Sequence, residues 1–498
     1  MNTDFLPIIP VVLPLAVAPF FLLIKHSMFC WWLTVVVMLV SCITSFFTLG
    51  QLNTQNELTY PFGGWEAHVG IEYSIDHLNG VLLFFISSIG LLLTLLYSGS
   101  LKWDLKGSRH YFFYTAFLLT FAGLAGVIAT ADAFNAFVFI EISSLGTYIL
   151  VALGKEKRAL LASYKYLILG TIGATFFVLG VGILFVLTGS LNFFDISNRL
   201  ESLGQPVAHF TAMSFIIIGL LIKSAVFPLH AWLPASYKYA PALVTCFFSA
   251  ISTKVSLYLL IRMLFDVGNV NALIGRPIIE DIFFFLALIS IFFGSFAAYF
   301  ETDIKKLFAY SSISQVGIIF IGISVATVDG LTASLAHFIN HGLTKGFIFA
   351  IVCFLGSTVG GTAFKKFSGI GRVYPVLSGL LVFGCFSLIG VPGTPGFITK
   401  FTLISSLIGS GNFILAFSVL LLSILTVAYS WRIVELIYFG EPDVNNTIRS
   451  SNETQIIPLY ILLFVLAACM IYVSFDTTFT IGYAKIAAEQ LFFDKLGN

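Results

Sequence analysis

Apolar runs of roughly 18 to 25 residues, separated by short polar segments, recur along the whole chain. Each is long enough for a helix to cross ~30 Å of hydrocarbon. Hydropathy and turn signals predict about fourteen spans, near 5–24, 29–50, 80–98, 111–130, 132–153, 163–188, 209–229, 241–265, 277–299, 306–326, 330–359, 374–408, 411–439 and 456–475. Two of them are interrupted. The seventh runs into FPLHAWLP, with Pro228 and Pro234, and the twelfth contains GVPGTPGFITK, with Pro392 and Pro395 among three glycines. Proline removes a backbone donor and glycine loosens a helix, so such breaks survive in a bilayer only where protein or water satisfies the freed groups. A pair of Gly/Pro-interrupted spans in corresponding halves points to a transport site.

Composition agrees with this pattern. The 498 residues are 58% hydrophobic and 10% charged, with a mean hydropathy of +1.00, whereas soluble domains carry about a quarter charged residues. The chain reads as an all-α polytopic membrane protein. Six scattered cysteines with no C-x-x-C pair read as small buried hydrophobes, and neither a dinucleotide fingerprint nor a phosphate-binding loop is present. No cofactor and no nucleic-acid partner are expected.

Positive charge sets the orientation. Loops with Lys25, Lys102/Lys106/Arg109, Lys155/Lys157/Arg158, Lys238, Lys305/Lys306 and Lys365/Lys366/Arg372 fall on one side in an alternating count, and the longest intervening loop, 51–79, is acidic. The basic side is expected to be cytoplasmic, with both termini outside. The N-terminus lacks the basic region of a cleaved signal, so the first span is expected to be permanent.

An offset of about 177 residues carries Lys223 to Lys400, and Lys254 to the neighbourhood of Arg432 and Glu435. It suggests two five-helix units, and an odd number of crossings would invert the second copy. The expected organisation is three leading helices over 1–110, repeats over 111–268 and 269–440, and a loop, last span and short tail over 441–498.

Few ionisable groups lie inside the spans: Glu141, Lys223, Lys254, His337, His341, Lys345 and Lys400, with Lys165 and Glu435 nearer span ends. A charge at a helix centre costs roughly 2.5–3.5 kcal/mol to insert, so this set is not accidental. One acid cannot neutralise three lysines, which excludes a purely static ion pair for most of them. Lysine loses its proton more readily on burial and regains it beside a carboxylate. A lysine whose acidic partner can approach or withdraw is therefore a proton switch, and Glu141 suits that role. His337, His341 and Lys345 recur every fourth residue on one helix face, where they could relay protons between lysine sites. Lys165 and Glu435 could equally snorkel to the interface.

The segments ADAFNAFVFIEISSLGTYIL, IKSAVFPLHAWLPASYKYAP, SAISTKVSLYLLIR, KKLFAYSSISQVG, AHFINHGLTKG and PGTPGFITKF resemble the antiporter-like subunits shared by Mrp-type cation/proton antiporters and respiratory complex I. The resemblance covers about residues 110 to 440. It implies fourteen helices in two inverted five-helix repeats, broken seventh and twelfth helices, and a mid-membrane proton axis. In that axis Glu141 pairs with Lys223, Lys254 is central, His337 and Lys345 are relay positions, and Lys400 is terminal. Lys400 and the short tail look most like the D-type component of an Mrp-type Na⁺/H⁺ antiporter working with other membrane subunits. A proton-pumping N- or M-like component of an NADH-quinone oxidoreductase, or an energy-coupling subunit of an inorganic-carbon uptake system, are the alternatives. Glu301 and Ser256 depart from the family's usual glutamine and glycine.

Overall fold

The computed structural model describes residues 5–67, 69–96, 105, 110–204, 206–268, 277–441 and 453–493. The expected basic loop with Lys102, Lys106 and Arg109 lies outside the described residues.

The spans are α1 (Leu6–Ile24), α2 (Ser27–Leu52), α3 (His77–Leu96), α4 (His110–Ala129), α5 (Ala133–Ala152), α6 (Arg158–Thr188), α7 (Val207–Ser224, resuming at Leu233–Tyr239) and α8 (Ala242–Val267). They continue with α9 (Pro277–Phe300), α10 (Ile304–Ser324), α11 (Val328–Val359), α12 (Pro375–Ile389, resuming at Pro395–Gly409), α13 (Phe413–Tyr438) and α14 (Glu453–Phe475). Among the described residues thirteen helices are long and apolar enough to cross a membrane; neither half of α12, at 15 residues, does so alone. The chain is a multi-pass membrane protein. Where a loop and a plain tail were expected, an antiparallel hairpin of β1 (Leu58–Pro61) and β2 (Glu72–Ile75) and a further helix, α15 (Tyr483–Phe493), are present. The hairpin is stitched to the start of α5 by the Tyr73–Thr130 bridge. The α15 helix packs along α3 and α11, with Phe492 against Phe265.

One local motif occurs twice. Asp132 caps α5 by accepting from Asn135 N at 2.6 Å, and bridges to Asn192 beyond α6. Asp303 caps α10 by accepting from Lys306 N at 3.2 Å, and bridges to Ala363 beyond α11. The backbone bonds match: Ala133 N to Leu191 O and Phe193 N to Ala131 O, against Ile304 N to Thr362 O and Phe364 N to Thr302 O. Helix contacts match in the same register. A Cβ on Gly123 would lie 2.5 Å from Ser143 N, and one on Gly294 would lie 2.6 Å from Ser314 N. Small residues here let α4 meet α5, and α9 meet α10, at backbone distance. The offset is 171 residues throughout. Five spans separate the two caps, so the motif recurs on opposite faces of the bundle.

That register corrects the expected 177-residue pairing. The first half of α7 ends at left-handed Ala225 and that of α12 at left-handed Gly390. Lys223 lies two residues before the first break. The residue two before the second is Leu388, whereas Lys400 lies beyond the break on the resumed helix. The expectation failed because the first half of α7 has 18 residues and that of α12 has 15, and the α7 gap is also longer. Nor does α13 supply a counterpart of Lys254. Arg432 instead leaves the span, donating to the backbone carbonyl of Glu301 at 2.8 Å and lying over the Phe364 ring.

Both breaks are internally satisfied. In α7, Trp232 Nε1 donates to Ile222 O at 2.9 Å and Ser290 Oγ accepts from Phe227 N at 3.0 Å. In α12, Lys400 Nζ reaches back to Leu388 O and Ile389 O at 2.8 and 2.9 Å. Freed carbonyls at a helix end demand such partners in a dry interior.

Candidate proton axis within the membrane

The axis is built around α11, a 32-residue helix that is almost wholly buried. His337, His341 and Lys345 share one face because four residues make about one helical turn. The His337 ring bridges two neighbouring helices: Nδ1 bonds Thr399 on α12 at 2.8 Å, and Nε2 bonds Gln315 on α10 at 3.1 Å. Lys345 Nζ donates to Phe308 O at 2.7 Å and Ser311 Oγ at 2.5 Å, both on α10. Between them, the His341 ring lies nearly parallel to that of His337, with centroids 5.8 Å apart. Its two ring nitrogens bond nothing among the described residues. His341 is thus held by packing alone, poised between bonded neighbours.

Lys254 sits on α8, just after a π-helical turn at Phe248–Ser252, and donates to Ser249 O. It is 1% exposed, and is the charged neighbour shared by His337, His341 and Lys345. Lys400 is the further charge beside His337 and His341. Five of the seven core candidates therefore form one buried group spanning α8, α11 and α12.

The other two form a flank. Lys223 Nζ donates to Ser144 Oγ at 2.7 Å and lies 3.6 Å from Glu141 Oε1. Beside Lys223 is a cavity of about 20 Å³, lined by Ser144, Thr147, Tyr166, Ser252 and Ser256. That is room for about one water between α5, α7 and α8. Ser256, one of the two departures from the family pattern, borders the Lys223 flank. The other, Glu301, is remote and approaches Lys306 at 3.8 Å.

Lys165 and Glu435 are both exposed, on the outward faces of α6 and α13. The structure does not bring either into the buried group.

Two larger cavities open on opposite faces. One, of about 430 Å³, gathers Lys155, Lys238, Lys305 and Lys366, residues of loops expected to share a face. The other, of about 380 Å³, is lined by Glu57, Glu72, Asp76, Tyr258, Arg262 and Asp266 among others. The Asp76–Arg262–Asp266 cluster is missing from the sequence-based candidates. Its signal was present, since Lys254, Tyr258, Arg262 and Asp266 recur every fourth residue.

The geometry is a chain of amines and imidazoles crossing the bundle sideways, with one carboxylate at its flank. Residues 130–426 match the family model described as NADH:quinone oxidoreductase/Mrp antiporter, TM. The chain is 38% identical to the N-type component of the NADH-quinone oxidoreductase of Desulforudis audaxviator, over 76% of this chain and 75% of that one. It is 30% identical to the D-type component of the Na(+)/H(+) antiporter of Bacillus subtilis, over 88% and 87%. Among solved structures, a chain of the membrane-bound sulfane sulfur reductase, an archaeal respiratory membrane complex, superposes with a TM-score of 0.88 at 28% identity, covering 97% of each chain. Such neighbours belong to multi-subunit membrane assemblies, and a transport role fits this chain. The protein is an antiporter-like membrane subunit of the NADH:quinone oxidoreductase/Mrp antiporter family.

Proposed function

We propose that this chain is the proton-translocating subunit of a multi-subunit Mrp-type Na⁺/H⁺ antiporter of the cell membrane, with its basic face towards the cytoplasm. Protons reach Lys254, pass by way of Lys345 along His341 and His337, and are delivered to Lys400. The Glu141–Lys223 pair acts from the other flank: when the carboxylate closes on Lys223 it stabilises the ammonium there, and when it withdraws the proton is released. The observation that carries this reading is the close packing of α8 on the α11 face beside Lys254, where a Cβ on Gly342 would lie 2.7 Å from Ala250 O. In everted vesicles, Glu141→Gln and Lys223→Ala are expected to abolish proton-coupled cation exchange while the complex still assembles. Retained exchange in both variants would refute the assignment.

A second reading is a redox-driven proton pump, and the 38% identity to the N-type component of a quinone oxidoreductase supports it. The chain's own residues would do the same work there, while partner subunits supply the driving reaction. Identifying the subunits that co-purify in mild detergent separates the two. Redox-centre-bearing partners would replace the antiporter reading with the pump.

A further inference from the structure

The axis runs sideways, but α8 carries a second polar line that runs towards a membrane face. Lys254, Tyr258, Arg262 and Asp266 lie one turn apart on a single side of the helix. All but Asp266 are buried. The line begins after the π-helical turn at Phe248–Ser252 and ends in a second one at Met263–Val267; such turns re-aim the side chains that follow them and concentrate at functional sites. Its far end forms the floor of the acidic cavity of about 380 Å³.

Each member is tied down. Tyr258 donates its hydroxyl proton to Ile128 O at 2.9 Å and accepts from Arg262 Nε at 3.1 Å. Arg262 then donates to Asp266 Oδ2 at 3.1 Å and to Asp76 Oδ2 at 2.5 Å. Asp76 is itself held, because its other oxygen accepts from Leu78 N and Asn79 N at the start of α3. A guanidinium stays protonated at any physiological pH and has no acceptor, so it cannot pass a proton on. It also occupies the hydroxyl oxygen of Tyr258, the group through which a proton would move between the cavity and Lys254. Its charge is already matched by Asp76 and Asp266, so what it blocks is the proton path through the Tyr258 hydroxyl.

We propose that Arg262 is a proton plug, which holds the Tyr258 hydroxyl and keeps protons in the acidic cavity from running along α8 to Lys254. This rests on the proton-carrying role of Lys254 and adds a barrier on the side opposite the basic cavity. Without the plug, the axis would be open to the acidic cavity and the gradient would dissipate without exchange.

The test is passive proton influx into vesicles under a potassium diffusion potential, with equal amounts of assembled complex. Arg262→Gln is expected to raise influx by about tenfold, equivalent to about 1.4 kcal/mol of lost barrier. The double variant Arg262→Gln/Lys254→Ala is expected to return to the wild-type level. An Arg262→Gln complex as tight as wild type, or a leak that survives in the double variant, overturns the plug. Should Arg262→Gln fail to assemble, Arg262→Lys decides: it keeps the positive charge between Asp76 and Asp266 but can release a proton and lacks the Nε that holds Tyr258, so a raised influx supports the plug whereas an unchanged one overturns it. Retained coupled exchange in Lys254→Ala alone would instead refute the axis, whatever the leak.

Discussion

Glu141 and Lys223 stand 3.6 Å apart, yet their surroundings differ: the lysine side chain is 6% exposed and the glutamate side chain 25%. The carboxylate lies at the rim of the bundle, and the amine lies within it. A pair built for rigidity would bury both partners with full hydrogen bonding. Here Glu141 Oε1 has no hydrogen bond among the described residues, while Lys223 keeps Ser144 as a second partner. The carboxylate is the less tethered member of the pair.

It follows that Glu141→Gln, which keeps shape and removes charge, abolishes exchange. Glu141→Asp keeps the charge and is expected to retain part of the activity. Initial rates of pH-dye quenching in everted vesicles measure both.

The two histidines of α11 separate structure from transport. His337 links α10 and α12 through Gln315 and Thr399, so His337→Ala should lower both the thermal midpoint in detergent and the transport rate. His341 makes no such bonds, so His341→Ala should slow transport with little change in midpoint. Equal loss of stability in both variants would refute the distinction.

Lys400 and Lys223 are expected to behave differently when truncated. Lys400 satisfies two carbonyls at the α12 break, and Lys400→Ala leaves the buried Leu388 O and the part-buried Ile389 O unpaired, at about 1–3 kcal/mol for the buried one. The break of α7 is closed by Trp232 and Ser290 instead. Lys223→Ala should therefore abolish exchange and leave the midpoint closer to wild type than Lys400→Ala does.

The repeated caps also differ. Asp303 pairs with Lys238 at 3.0 Å and accepts from Thr362 Oγ1 at 2.9 Å, whereas the described ion pairs of the chain give Asp132 no such cation. Asp132→Asn should cost no more than a weakened cap, about 0.5–2 kcal/mol. Asp303→Asn also strips a half-buried lysine of its partner and should cost about 3 kcal/mol. Thermal midpoints of the two variants give the order directly.

Much of this was legible because a membrane interior makes certain residues rare. A lysine, a histidine or a Gly/Pro cluster inside an apolar run is costly, so Glu141, Lys223, Lys254, His337, His341, Lys345 and Lys400 stood out, as did both breaks. Near span ends that contrast fades. Arg262 and Asp266 looked like ordinary boundary charges, and the pairing with Asp76, 186 positions away in sequence, left no local mark. Lys165 and Glu435 have the same chemistry as the axis residues, and only helix rotation puts them outside. The repeat register was misjudged for a physical reason as well. Lys400 brings its ammonium to Leu388 O, the site matching Lys223, but from the opposite side of the break. Chemistry converged at that point while sequence position did not. The α15 helix escaped because 11 residues carrying Lys485 and Glu489 look like a polar tail.

The most direct test of the central claim is the initial rate of proton-coupled exchange in Lys254→Ala, with assembly of the complex verified in the same membranes. The lateral axis predicts a rate indistinguishable from vesicles lacking the protein. A Lys254→Ala complex that assembles and exchanges at the wild-type rate would contradict it.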